Sequence, residues 1–146
     1  MIIEDGFDVQ APIERVWELL RDVPRVAGCI PNAELTEAVD ATHYRARVAV
    51  KVGPVSVAYN AKIAVEEMDD AAHRAQLRVD GDETKGRGGV SAVITSGAEA
   101  RGEGTHVSLH ADAKISGIVA TVGGRLIEGV AKQTIKKFAE NLAALL

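Results

Sequence analysis

From Ile2 to Val9, apolar and polar side chains alternate and predict a first strand. The period then changes. Ile13, Val16, Trp17 and Leu20 fall at helical spacing behind Pro12, a residue suited to an early helical position, so a helix covers the segment that starts at Ala11. Pro24 pushes Val23 out of the α region and ends or kinks that helix. A short second helical turn over Arg25 to Cys29 precedes Pro31-Asn32.

The middle of the chain returns to period two. Between His43 and Val52, one face carries Tyr44, Ala46, Val48, Val50 and Val52, and the other His43, Arg45, Arg47, Ala49 and Lys51. That pattern belongs to an antiparallel strand with one wet face. Gly53-Pro54 turns the chain, and Val55, Val57, Tyr59, Ala61, Ile63 and Val65 line the next strand. Ala75, Leu77 and Val79 follow on a fourth strand. A loop is expected over 81–89, then a strand from Val90 to Ala100 that includes Ile94. Thr105, Val107, Leu109, Ala111, Ala113 and Ile115 alternate with His106, Ser108, His110, Asp112 and Lys114 on the last strand. With a short piece over Ala33 to Val39, about seven strands result.

From Val119 to Leu146 the stripe of Val119, Val122, Leu126, Ile127, Val130, Ile135, Phe138 and Leu142 predicts one long helix, about 42 Å at ~1.5 Å per residue. Gly123, Gly124 and Gly129 weaken its first half. The order of elements defines an α+β fold: a curved, seven-stranded antiparallel sheet wrapped around a long C-terminal helix, with two short helices after the first strand. No repeat or linker divides residues 1–146, so one ligand-binding domain is expected.

Composition changes this picture in one respect. The 146 residues include 23 alanines and 14 glycines but only five aromatics. Ala46, Ala61, Ala75, Ala111 and Ala113 all face inward, against a helix that opens with glycines. Interiors pack to a density of about 0.75, which needs bulkier partners than these. An apolar cavity between sheet and helix is the expectation. On the sheet it is lined by Tyr44, Val48 and Val50, by Tyr59 and Ile63, by Leu77 and Val79, and by Ile94, Leu109 and Ala111. On the helix side Val119, Leu126, Ile127 and Val130 close it. A collapsed core built from the same residues satisfies the periodicity equally well, and spacing alone does not separate the two.

Charge narrows the partners. A net charge of −4 lacks the basic excess of a nucleic-acid binder, so none is expected. No apolar run approaches the ~20 residues of a membrane span. Met1 to Asp5 has no basic flank or apolar signal core, and the single Cys29 has no internal disulfide partner. A soluble cytoplasmic protein is the expectation.

Candidate chemistry is sparse. His106 and His110 have the spacing of a helical metal pair, but on a strand they lie about 13 Å apart at ~3.3 Å per residue and share the wet face. Surface histidines are the better reading, for His43 and His73 as well. Cys29 has no neighbouring histidine and only Arg25 as a nearby cation, which favours a buried structural thiol. Lys85-Gly86-Arg87-Gly88-Gly89 precedes a strand rather than the helix a phosphate loop needs, and reads as a hairpin loop at the cavity rim. Glu66, Glu67, Asp69 and Asp70 sit at a turn as solvated carboxylates. Trp17 is expected to fill one end of the core, and Tyr59 to give the cavity a polar handle. With no His, Asp or Glu expected on the inner face, no catalytic residue, cofactor or metal is assigned.

Several short motifs occur in a telling order: Ala11-Pro12 with Val16-Trp17, Cys29-Ile30-Pro31, Val52-Gly53-Pro54-Val55, and Gly123-x-Arg125-Leu126-Ile127 before a helix. Together they span almost the whole chain and resemble the G-subunit family of carbon monoxide dehydrogenase, which belongs to the START-like, helix-grip (SRPBCC) superfamily. The resemblance implies a sheet gripping the C-terminal helix around an apolar tunnel. It implies a non-enzymatic accessory of a carbon monoxide dehydrogenase-type molybdenum hydroxylase, holding a quinone or lipid-like molecule and acting at the inner face of the membrane. Where the family has Gly after the proline, this chain has Asn32, the best substitute at positive φ. Many members carry a C-terminal membrane-attaching extension. Here the sequence runs to Leu146, and ligand holding rather than anchoring is the expectation. A cyclase or hydrolase using the same cavity, and a docking module with an incidental cavity, are the alternatives.

Overall fold

The computed structural model describes all 146 residues. Its elements run β1 (Ile2–Val9), α1 (Ile13–Leu20), α2 (Val23–Ala27), β2 (Ala33–Ala38), β3 (His43–Val52), β4 (Val55–Asp69), β5 (Arg74–Glu83), β6 (Gly89–Arg101), β7 (Gly104–Ile115) and α3 (Gly124–Ala143). All neighbours in the seven-stranded sheet are antiparallel, in the order β1-β7-β6-β5-β4-β3-β2. After β1 crosses to the far edge through α1 and α2, the strands return as a meander. The sheet's apolar face is covered by α3 and, at one end, by α1 and α2.

Most strand boundaries match the alternation within two residues. Three differences have physical causes. Pro24 does not merely end α1: it opens α2, where a missing N–H costs nothing, and the Asp22 side chain caps that helix by accepting from the Arg25 N–H at 3.3 Å. β5 runs on through Gly81, Asp82 and Glu83, so the loop expected over 81–89 shrinks to a tight turn. The expected 42 Å helix is broken. Val119–Val122 form one 3₁₀ turn, Gly123 takes φ 93°, and α3 proper has 20 residues, about 30 Å. Only glycine adopts that φ without strain, so Gly123 sets the angle at which α3 leaves the sheet. Asn32, as expected, sits at φ 61°.

Residues fully withdrawn from water form two separate clusters. The larger joins Val9, Val16, Trp17, Leu19, Leu20, Cys29, Val107, Phe138 and Leu142 under α1 and the C-terminal half of α3. Phe138 meets Phe7 edge-on at 6.1 Å, and Asn141 donates to the Cys29 carbonyl at 2.9 Å. The smaller cluster, at the other end, joins Val52, Val57, Tyr59 and Val119, with Ile127 and Val130 of α3 packed on it. Only 25 of 146 residues are buried, and 8198 Å² of surface is accessible. A solid globule of 15.4 kDa would expose about 7,200 Å². The chain therefore exposes roughly 1,000 Å² more than an average folded monomer of its mass.

Candidate functional site

Strand register settles which side chains face α3. The pairings Val48↔Tyr59, Ile63↔Val79, Leu77↔Ile94 and Ile94↔Ala111 place one continuous apolar surface across β3, β4, β5, β6 and β7. Val48, Ile63, Leu77, Val79, Ile94 and Leu109 all lie on it. None belongs to either buried cluster, and each keeps part of its surface accessible. The small residues Ala46, Ala61, Ala75, Ala92 and Ala113 are buried between them. On the helix, Ile135 is likewise half-exposed and outside both clusters. The eight steps from Val130 to Phe138 advance the helix by about 12 Å. Beneath this span the inner-face side chains of the central strands stay partly accessible.

The other expected lining residues divide. Val50, Val119, Ile127 and Val130 form the floor at the Tyr59 end. Ala111 is half-buried on β7. Tyr44 stands at the rim, where its hydroxyl donates to the Ala41 carbonyl at 3.0 Å. Leu126 is not inside: it is 41% exposed and lies over the β3–β4 turn, close enough that a Cβ on Gly53 would approach its Cδ2 to 2.8 Å. Its spacing from Val130 suggested burial, but Leu126 lies about 120° around α3 from Phe138, at ~100° per residue, and so at the edge of the stripe. A mostly apolar hollow of about 410 Å³ opens beside the first turn of α3, between Met1, Ala113, Ile115, Ala120 and Ile127.

The inner face also holds two carboxylates, against the expectation of none. Asp5 shares the face of Ile3 and Phe7, half-buried, and accepts from the Gly6 N–H at 2.8 Å. Glu83 is the larger surprise. Extension of β5 brings it opposite Tyr59, with its side chain only 1% exposed. Its Oε1 accepts from Arg87 Nε at 2.9 Å and from the backbone N–H groups of Lys85 and Arg87 at 3.0 and 3.2 Å. Its Oε2 accepts from Arg87 Nη2 and from the Thr84 hydroxyl, both at 3.3 Å. Arg87 Nη2 also reaches the Ser56 carbonyl at 3.2 Å. Hydrogen bonds from Arg87, with those of the two backbone amides, hold the Glu83 carboxyl at a pKa of about 2 despite the opposing cost of burial. The Glu-Thr-Lys-Gly-Arg spacing was the available signal: a carboxylate four residues before an arginine, across a tight turn, can close on it.

That turn is fixed, not a loose rim. Gly88 (φ 133°) and Gly117 (φ 82°) cross so closely that a Cβ on Gly117 would collide with the Arg87 carbonyl oxygen. Ile118 N–H donates to the same carbonyl at 2.8 Å, and Ser116 N–H to that of Gly89 at 2.9 Å. The Glu83–Arg87 turn therefore clamps the segment leading into α3.

Other candidate groups serve the scaffold. Cys29 is 2% exposed; burial pushes its thiol pKa up, with Arg25 opposing more weakly. His106 Nδ1 lies 2.8 Å from Asp8 and His110 Nδ1 3.0 Å from Glu4, both on the outer face. They border the largest hollow, about 910 Å³ and mostly polar, on the side away from α3. His43 pairs with Asp40 at 2.9 Å. His73 departs from its expected outward strand position: it is a turn residue at φ 53° whose ring packs edge-on against Trp17 at 5.6 Å. Asp70, expected to be merely solvated, accepts from Trp17 Nε1 at 2.9 Å and pairs with Arg21 at 3.1 Å, fastening the β4–β5 turn to α1. No helix is long and apolar enough to cross a membrane.

A seven-stranded antiparallel sheet curled against a C-terminal helix is the START-like, helix-grip architecture. Solved structures share it. A conserved protein from Geobacillus kaustophilus is 25% identical, with TM-score 0.87 over 99% of this chain and 93% of that one. The Zhui aromatase/cyclase from Streptomyces sp. R1128 is 18% identical, with TM-score 0.67 over 99% and 92%. A START superfamily protein from Mycobacterium smegmatis is 15% identical, with TM-score 0.62 over 98% and 94%. No curated protein matches the chain in sequence. Residues 6–146 match the family model of the carbon monoxide dehydrogenase G subunit (CoxG), and the chain belongs to that family.

Proposed function

We propose that the protein is a non-enzymatic carrier that holds an elongated apolar molecule, quinone or lipid-like, in the groove between sheet and α3. The observation that carries this reading is the gap between the two buried clusters. Side chains that a compact core would bury, from Val48 to Leu109, stay half-exposed under a helix supported at its ends. Empty, such a surface is costly in water. Covering ~300 Å² of apolar ligand surface supplies about 7 kcal/mol before association costs, at ~25 cal/mol per Å². The hollow beside Met1 and Ile127, with Lys114 at its edge, is where this reading places entry. Family membership supports the further role of accessory to a carbon monoxide dehydrogenase-type molybdenum hydroxylase, with membrane contact during loading.

One feature favours binding over cyclase-type catalysis. Glu83 is saturated by five donors and stays ionised, so it is not poised for proton transfer at neutral pH. Native mass spectrometry of gently purified protein is the test: a co-purifying hydrophobe, removed by organic extraction and restored by adding it back, supports the carrier. Protein that takes up no apolar dye or lipid refutes it and leaves the docking role, which pull-down from the host would then address.

A further inference from the structure

Resting on the carrier reading, we propose that the Tyr59 hydroxyl is the polar anchor of the groove. It selects ligands whose head is a neutral hydrogen-bond acceptor, such as a ketone or quinone-type carbonyl, over ligands with an anionic head. The chain has two tyrosines, and they differ. Tyr44 gives its hydroxyl proton to the Ala41 carbonyl. Tyr59 is 8% exposed on the inner face, beside Gly81, where a Cβ would stand 3.5 Å from the tyrosine Cβ. Its hydroxyl makes no hydrogen bond within the protein. Yet every side-chain N or O fully sealed from solvent has a partner, so the Tyr59 oxygen still borders accessible space. A hydroxyl in a mostly apolar setting with no protein partner is a donor held ready for something that enters.

The surroundings decide what enters. Glu83 lies opposite Tyr59 and keeps its negative charge, and Arg87, the nearby cation, is already committed to Glu83 and the Ser56 carbonyl. A carboxylate or phosphate head would find no free cation beside Tyr59, since Glu83 and Arg87 satisfy each other, and would lose its hydration on the way in. A carbonyl head loses little hydration and gains the tyrosine proton. Burial, reinforced by Glu83, raises the Tyr59 pKa, which keeps that proton in place at neutral pH.

The test uses delipidated full-length protein and three probes of equal chain length: a methyl ketone, the fatty acid and the alkane, each competing against an apolar fluorescent dye at neutral pH. The ketone is expected to bind about fivefold more tightly than the alkane, the net effect of one hydrogen bond, and at least tenfold more tightly than the acid. Tyr59→Phe should erase the ketone's advantage over the alkane while alkane binding persists, and Glu83→Gln, which frees Arg87, should raise acid affinity. Equal binding of all three probes, or a ketone preference surviving in Tyr59→Phe, overturns the anchor and leaves the carrier intact. Failure of every probe to displace the dye overturns both.

Discussion

The two ends of α3 are held by different means. At its C-terminal end, Leu142 is 0% exposed, Phe138 sits in the larger cluster, and α1 supplies Val16, Leu19 and Leu20 from the other side. This end is a filled three-way junction. At its N-terminal end, four buried residues suffice, and position comes instead from backbone: the Gly88–Gly117 crossing, the Ile118 N–H to Arg87 bond and the turn at Gly123. One end is held by packing, the other by a clamp. A helix pinned at both ends does not need full contact with the sheet between them, which is the arrangement the carrier reading requires of a chain rich in alanine.

The sharpest way to break this comparison is to delete equal side chains at the packed end and over the groove. Leu142→Ala removes a fully buried side chain and should cost about 2–5 kcal/mol, because the junction cannot close around the void. Leu77→Ala, in the half-exposed stretch, should cost about 1 kcal/mol, since no new cavity is created. Urea unfolding of both variants measures the difference. Equal losses would mean that the middle is as solid as the end.

The clamp can be tested next. Gly117→Ala forces a Cβ into the Arg87 carbonyl at a φ that disfavours side chains, and should cost about 2–3 kcal/mol. Because the strain lies at the pivot of α3, proteolysis within 116–124 should accelerate more than at α1. Uniform acceleration would show that the crossing is only a turn and not the support of the helix.

The packed end was more legible in the sequence than the clamped end. Trp17, Cys29 and the Val16–Leu20 stripe announce burial by type and period, and the structure buries all of them together. The alternation of β3 to β7 likewise fixed the inner apolar face, because a period of two leaves each residue only two choices. What stayed hidden was long-range or backbone-borne. Glu83 looked like a loop residue because Gly81 and Asp82 interrupt the β pattern, and it is pairing with β4 on one side and with Val90 and Gly89 of β6 on the other that holds that stretch in β5. The helical stripe was also read too wide: Leu126 lies about 120° around α3 from Phe138, at its edge rather than its centre. Whether the groove was hollow could not be read at all, since a filled and an empty core share one periodicity.

Acid should expose the clamped end as the weaker electrostatic unit. Glu83 titrates near 4.5 when unfolded and at about 2 when folded. Its pKa is depressed, so its contribution is fully present above about pH 4.5 and is lost as the pH falls toward 2. Asp40, held at about 2 chiefly by the Thr42 N–H, adds a second acid-sensitive contribution at an exposed turn. The melting temperature of the native chain should therefore fall steadily between these limits. Glu83→Gln should be less stable at neutral pH and show a shallower acid slope, whereas a slope unchanged in that variant would assign the acid loss to Asp40 and other groups.

The smallest expected change in stability carries the most information about the groove. Ala111→Phe adds a ring to β7, beside Ile94 on the inner face where the carrier reading places the ligand. In a filled core such overpacking costs about 1–3 kcal/mol. Over open space the ring finds room, buries some of its own surface against Ile94 and Leu109, and should change stability by less than about 1 kcal/mol. The ring would occupy the volume meant for a ligand, so uptake of an apolar dye should be lost while the fold persists. Intact uptake would move the ligand away from β7, and a large loss of stability would show that the middle of the molecule is packed after all.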